Sequence, residues 1–155
     1  MKGKNLQILW NVIKEMQNIK GAGYTYYEFL IKLKHEIKPK AEELAEKLQK
    51  LEDIRKQLDM EYCKREKGKP IYLTIYNEKD RPIGKRLEKA LPGEYEEYDK
   101  KQKELIDQRD KIYEEEINLK IKTKIDKKII LEVSENDAWN GYFQDAISEF
   151  INGSN

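Results

Sequence analysis

Hydrophobic positions recur along this chain with two different periods, and the changes of period mark its elements. Leu6, Leu9, Trp10, Ile13, Met16 and Gln17 fall on one helical stripe, widened by Ile8, Val12 and Ile19. Spacings of three and four predict a short helix over residues 6–19 whose broad apolar face must dock on something. Gly21-Ala22-Gly23 supplies its stop, since glycine tolerates the left-handed conformation a helix end requires. Thr25 with Glu28 three residues on reads as a capping box for a second helix. Its apolar series runs Leu30, Leu33, Ile37, Ala41, Leu44, Leu48, Leu51, Ile54, Leu58 and Tyr62, a seam of coiled-coil character. Pro39 removes a donor and clashes with the preceding turn, so a kink or break is expected near Lys38.

The β-branched and aromatic run Ile71-Tyr72-Leu73-Thr74-Ile75-Tyr76 predicts a strand, after a turn at residues 67–70. Residues 77–81 read as a turn, Pro82-Ile83-Gly84 as a short returning strand, and residues 86–91 as a helical turn. A third helix follows from about Glu94 to Glu115, with Tyr98, Leu105 and Ile112 every seven residues and Gln102 and Arg109 between them. Expected i,i+4 pairs on the two long helices are Glu43 with Lys47, Glu46 with Lys50, Glu52 with Lys56, Glu96 with Lys100, Glu97 with Lys101 and Asp107 with Lys111.

Period two then takes over. Ile117, Leu119, Ile121, Thr123 and Ile125 alternate with polar residues, which predicts a strand, and residues 129–133 offer a second one after the turn at 126–128. Ser134 or Asn136 caps a final helix whose face carries Trp139, Phe143, Ala146, Ile147, Phe150 and Ile151. The expected fold is α+β and mainly α: a long antiparallel helical hairpin, or coiled-coil arm, with a small β element at its tip. Two short helices and a β-hairpin form its base. As a single domain over 1–155, this divides into a base (1–38 and 116–155), an arm (40–66 and 94–115) and a β tip (70–91).

Composition supports long helices. Of 155 residues, 39% are charged and 38% hydrophobic, more charge than a compact ball of this size places easily on its surface. Long helices accommodate it, because each needs only a narrow apolar stripe. The balance of 31 Lys+Arg against 30 Asp+Glu leaves no global field to draw the chain onto nucleic acid or an anionic membrane. The N-terminal segment makes a poor signal peptide, and no apolar run reaches the roughly 18 to 20 residues that span a bilayer. Cytoplasmic location, with no membrane partner, is the expectation.

Candidate chemistry is sparse. His35 is the sole histidine and Cys63 the sole cysteine, 28 positions apart, with no nucleophile motif near either. Cys63 is expected to be a semi-exposed neutral thiol. Zinc ligation would need carboxylates or a second subunit. Glu94, Glu96, Glu97, Glu114, Glu115 and Glu116 lie in lysine-rich helical surroundings and read as solvated faces. Gly21-Ala22-Gly23 lacks the Lys-Ser/Thr ending of a phosphate loop and follows a helix. No catalytic residue, metal site or cofactor is expected.

Binding surfaces are better marked. Lys120, Lys122, Lys124, Lys127 and Lys128 form a basic stripe that can meet phosphates or guard a sheet edge. Tyrosine favours interfaces, combining apolar area with a polar end, and the chain has ten. Tyr24, Tyr26 and Tyr27 cluster before the second helix. Tyr72, Thr74 and Tyr76 share one face of the tip strand, with Arg81 in the following turn. Leu44, Leu48, Leu51 and Leu58 are the candidate seam of a homodimer.

The order of elements resembles that of small helical-hairpin proteins encoded by phages and prophages of low-GC Gram-positive bacteria. The likeness rests on Phe29-Leu30-x-x-Leu33-x-x-x-Ile37 leading into a charged helical hairpin, then Ile117-Asn118-Leu119-Lys120-Ile121 and a short last helix. The chain is more loosely similar to prefoldin, where two helices flank β-hairpins. The first resemblance implies a bacterial host cell and a protein partner, either a host enzyme or defence factor or a phage component. The expected function is a non-enzymatic interaction module. A nucleic-acid-binding accessory protein using the lysine stripe, and an assembly factor or prefoldin-like chaperone, are the alternatives.

Overall fold

A computed structural model describes residues 1–124, 128–129, 133 and 141–148. Helix α1 spans Gly3–Met16 and α2 spans Tyr24–Tyr62. Strands β1 (Arg65–Glu66), β2 (Lys69–Pro70), β3 (Tyr72–Tyr76) and β4 (Pro82–Leu87) follow. Helix α3 covers Glu96–Glu114 and α4 covers Gly141–Ile147. The chain is mainly helical, with β1–β2 and β3–β4 as two antiparallel pairs. It divides into two compact units, one of Met1–Lys47 with Lys111–Asn155 and the other of Leu48–Asp110.

The first unit holds most of the core. Leu6, Leu9, Val12, Ile13 and Met16 of α1 are buried, and so are Leu30, Leu33, Ile37, Ala41 and Leu44 of α2. Phe143, Ala146 and Ile147 of α4 are buried as their spacing predicts, whereas Trp139, Phe150, Ile151 and the caps Ser134 and Asn136 lie outside the described residues. The turn between α1 and α2 is fixed by tyrosines. Tyr26 donates its hydroxyl to the Met16 carbonyl at 2.8 Å, and Tyr27 donates to that of Ile19 at 2.7 Å. Burial, and then the neighbouring Tyr27, hold the Tyr26 hydroxyl well above the usual phenol range. Gly21 takes a positive φ of 78° at the predicted stop. Helix α2 begins at Tyr24, one residue before the expected cap. The Gly23 carbonyl accepts its first backbone bonds, from the amides of Tyr26 and Tyr27.

Helix α2 runs unbroken through Pro39, so of the expected kink or break the break does not occur. Only its own donor is lost, on an exposed side, while Ile37 and Ala41 beside it are buried. The base β-hairpin is a second correction. Residues 117–124 form no strand. The one ladder contact is an isolated antiparallel bridge of Lys2 with Glu116, flanked by bonds from the Gly3 amide to Glu115 and from the Ile117 amide to Met1. The alternation is kept, with odd residues half-buried and even ones exposed. The backbone donors go elsewhere: the amides of Lys122 and Thr123 reach the Glu36 carboxylate at 2.7 and 3.2 Å, and the Thr123 hydroxyl donates to it at 2.9 Å. In the second predicted strand, Ile129 and Val133 are helical and buried.

In the second unit, a network around Asp59 joins α2 to α3. Asp59 is 5% exposed. Its Oδ1 accepts the Tyr98 hydroxyl at 2.8 Å and the Gln102 amide at 2.9 Å, and its Oδ2 meets Arg55 at 2.5 Å and Lys89 at 3.1 Å. Arg55 also grips Glu52 through two bonds, of 2.6 and 2.8 Å. Every lone-pair direction of the buried carboxylate is thus occupied, which is what a charge at this depth requires. Burial and the hydrogen bond to Asp59 push the Tyr98 hydroxyl up to about 12. The Tyr62 ring packs on Tyr95 and Tyr98 with centroids 5.4 and 5.3 Å away. Among the expected helical ion pairs, Glu97 with Lys101 forms. Glu43 turns instead to Lys40, Lys47 to Glu115, and Glu52 to Arg55.

Candidate functional site

The β3–β4 hairpin is built by local chemistry at both ends. At its root, the Lys64 amide donates to the Glu88 carbonyl, the Ile71 amide to that of Lys64, and the Glu88 amide to that of Ile71, all within 2.9–3.0 Å. The β1–β2 turn beside it has positive φ at Lys67 and Gly68, the conformation that suits a two-residue hairpin loop. At the far end, the Asn77 side-chain oxygen accepts the amides of Lys79 and Arg81 at 2.9 and 3.0 Å, and Asp80 sits at a φ of 53°. Asparagine closes such turns on its own backbone.

The register pairs Tyr72 with Leu87, Leu73 with Arg86, Thr74 with Lys85, Ile75 with Gly84 and Tyr76 with Pro82. Tyr72, Thr74 and Tyr76 therefore share one face with Lys85, and Leu73 and Ile75 share the other with Arg86. A shift between Ile75 and Tyr76 leaves Ile83 unpaired. The helical turn expected at 86–91 does not form: Arg86 and Leu87 belong to β4, residues 88–91 are irregular, and a turn follows at 92–94. Pro82 is tolerated as its first residue.

All of β3 is exposed. Tyr72 is 52% exposed, Tyr76 60% and Ile83 64%, and Leu73 and Ile75 are open to 36% and 37%. Arg81 is exposed at the turn. The tyrosine face is the more open of the two, on a ribbon of two strands that by itself is marginal in water.

The remaining candidates fall in three places. Lys120, Lys122, Lys124 and Lys128 are exposed, and Lys127 lies outside the described residues. The first three belong to an extended segment, not to a strand face, because their neighbouring amides bond Glu36 instead of a ladder. Of the leucine seam, Leu44 and Leu58 are already buried within the chain and Leu48 and Leu51 are half-buried. His35 is exposed. Cys63 is buried, contrary to expectation, with its Sγ donating to the Met60 carbonyl at 3.1 Å.

Among the described residues no group of three or more His, Cys, Asp or Glu is placed to hold a metal ion, and no helix is long and apolar enough to cross a membrane. Asp59 is the functional-looking residue that the sequence reading missed. Its signal was the polar seam of α3, where Tyr98 and Gln102, four apart, need a common partner. The Asp59 carboxylate is fully satisfied within the chain, by buried Tyr98 and by the partly exposed Gln102, Arg55 and Lys89, which is the arrangement of a group that links α2 to α3. No family profile, no curated protein and no solved structure matches the chain.

Proposed function

We propose that this protein is a non-enzymatic interaction module that engages another protein through the β3–β4 hairpin, carried at the tip of an antiparallel helical hairpin. The observation that carries this reading is the open ribbon. Tyr72, Tyr76 and Ile83 are each more than half exposed, on a two-stranded element whose root and turn are held in a fixed shape. Exposed tyrosines on a rigid support are what protein interfaces use as anchors. The resemblance to phage-encoded helical-hairpin proteins makes a host enzyme, a defence factor or a phage assembly component the class of target. A bacterial cytoplasm would be the setting.

The test is capture from a Gram-positive bacterial lysate, with and without nuclease. The wild-type chain retains a stoichiometric protein after nuclease, and Tyr72→Ala/Tyr76→Ala loses it while the far-UV circular dichroism is unchanged. Capture that survives the double substitution rejects the hairpin as the docking element.

A second reading rests on the exposed alternation of Lys120, Lys122 and Lys124. It assigns these residues to phosphate contacts and predicts oligonucleotide affinity that falls steeply with salt and is lost on reversal to Glu. Self-association would use the half-buried Leu48 and Leu51 with Ile54, which is 48% exposed. A monomer mass by light scattering at micromolar concentration excludes it.

A further inference from the structure

Some helical cations are paired with carboxylates, Lys32 with Glu28, Lys38 with Glu42, Lys40 with Glu43, Arg55 with Glu52 and Asp59, and Lys101 with Glu97. The helices also carry acids in near balance with their cations. On the β elements, Lys64 pairs with Glu88 at the root. Lys67, Lys69, Lys79, Arg81, Lys85 and Arg86, by contrast, are all exposed and make no salt bridge among the described residues. Against these six stand three exposed acids on the same stretch, Glu66, Glu78 and Asp80. In a chain whose formal net charge is +1, the ribbon is a local excess of positive charge.

That excess decides among occupants. A second copy laying its own hairpin on this one would set like charges against each other, which disfavours self-pairing. Nucleic acid would satisfy the cations and stack on Tyr72 and Tyr76, but it offers nothing to Leu73, Ile75 and Ile83, which are exposed on the same ribbon. A protein surface with an apolar seat ringed by carboxylates satisfies both sets at once. Lys85 lies opposite Thr74, between the two tyrosines, and Arg86 lies opposite Leu73, so each face carries both an apolar anchor and a cation.

Resting on the reading of the hairpin as a protein-docking element, we infer that its partner presents an acidic protein surface: carboxylates around an apolar seat, docked against the face of Tyr72, Tyr76 and Lys85, with Arg86 and the turn cations adding to the local positive field. The cations steer the encounter and exclude basic competitors, and the tyrosines and aliphatic side chains supply the buried area.

The experiment uses the full chain and three fluorescent probes: a mixed Glu/Tyr polypeptide, polyglutamate, and an oligothymidylate of about 20 nucleotides, the length chosen to exceed one ribbon's footprint. The Glu/Tyr polypeptide is expected to bind most tightly, with affinity that weakens several-fold between about 0.05 M and about 0.5 M salt as the Debye length shortens. Lys85→Glu/Arg86→Glu should weaken it about tenfold or more. Lys79→Glu/Arg81→Glu, in the exposed turn, provides a second reversal should the first disturb the strand pairing. Oligothymidylate binding equal to or tighter than that of the polypeptide, and lost in the same variants, overturns the inference in favour of nucleic acid. Polypeptide binding that is absent, or unchanged by both reversals, also overturns it. The lysate capture separates the two levels. A captured protein lost with Tyr72→Ala/Tyr76→Ala but indifferent to salt and to the reversals refutes the acidic partner alone. Indifference to the tyrosine substitutions as well refutes the docking hairpin.

Discussion

A single methyl group at Gly3 tests how the first unit is assembled. An ideal Cβ there would lie 2.5 Å from the carbonyl oxygen of Ile112 and 3.4 Å from the Cα and carbonyl oxygen of Tyr113. An ordinary carbon–oxygen contact is about 3.3–3.6 Å, so backbone must move by roughly 0.8 Å or more. The obstacle is main chain, and it is pinned: the Gly3 amide donates to the Glu115 carbonyl at 3.0 Å and the Ile117 amide to that of Met1 at 2.7 Å. Overpacking of this kind costs about 1–3 kcal/mol, and a loosened hydrogen bond adds about 1 kcal/mol. Alanine repays up to about 1 kcal/mol through its helix propensity. The net loss is about 2 kcal/mol, which for a chain of this length lowers Tm by about 4–8 °C. Thermal unfolding of Gly3→Ala followed by far-UV circular dichroism reads it. A Cβ at Gly84 meets nothing within 4 Å, so Gly84→Ala should shift Tm by no more than about 2 °C. The sign is decisive. If the close approach were wrong, alanine at position 3 would be neutral or stabilising, and a Tm at or above wild type refutes the packing of α1 against the end of α3.

Asp59→Ala strips the partner from buried Tyr98 and leaves Lys89 and one arm of Arg55 unpaired; a loss of about 3 kcal/mol in urea denaturation is expected, and a loss under about 1 kcal/mol would mean the network contributes little. Because the Tyr98 hydroxyl is raised to about 12 in the folded chain, its contribution is complete below the unfolded value near 10 and is lost as pH rises from about 10 toward 12. Tyr98→Phe should flatten that alkaline decline, and an unchanged slope would refute the assignment. Pro39→Ala restores a donor inside α2 and should raise stability by about 1–3 kcal/mol, whereas a fall in the urea midpoint would mean the packing of Ile37 and Ala41 depends on the proline. Glu36→Ala removes three hydrogen bonds from Lys122 and Thr123; about 1–3 kcal/mol should be lost and amide exchange over residues 118–124 accelerated, and protection at wild-type level would show the segment to be held by its side chains alone.

The helices and the first hairpin strand were legible because each carries a sustained period. Leu6, Leu9, Ile13 and Met16 of the α1 stripe, the upper seam of α2 and Phe143, Ala146 and Ile147 are buried as spaced, whereas Trp10 is half-buried and Gln17 exposed. Elsewhere the pattern constrained side chains but not hydrogen bonds. Alternation over residues 117–124 correctly predicts which side faces inward, yet it cannot say whether the backbone donors find a neighbouring strand or a carboxylate, and Glu36 takes them. Ile129 and Val133 differ from expectation for another reason: a short apolar run can be buried as strand or helix, and periodicity does not arbitrate. Asp59 was invisible because a charged residue beside Leu58 reads as surface until Tyr98 and Gln102 are known to face it. At the tip, the register follows from the pairing of β3 with β4, but the depth of exposure does not. An alternating sequence says that one face should be covered, and in this chain Leu73 and Ile75 are less exposed than Tyr72 and Tyr76 but not buried.

On the proposed reading, the charge pattern would let a nearly neutral chain discriminate between partners. With a net charge of +1 there is no long-range field, so discrimination has to come from groups within about a Debye length of the contact. On the helices, lysines are interspersed with carboxylates, several of them in direct ion pairs, so no described helical face gathers a comparable excess of one sign. The ribbon concentrates unpaired cations and open tyrosines on a small area, too small to bind tightly by area alone. Its affinity must therefore come from a few anchors and from low ordering cost. The Asn77 turn and the backbone bonds joining Lys64, Ile71 and Glu88 reduce that cost, since they fix the hairpin before any partner arrives. A loosely held loop with the same residues would spend much of its binding energy on becoming ordered. Holding the hairpin open and rigid leaves apolar surface in water, and that is the disposition expected of a surface kept for a partner.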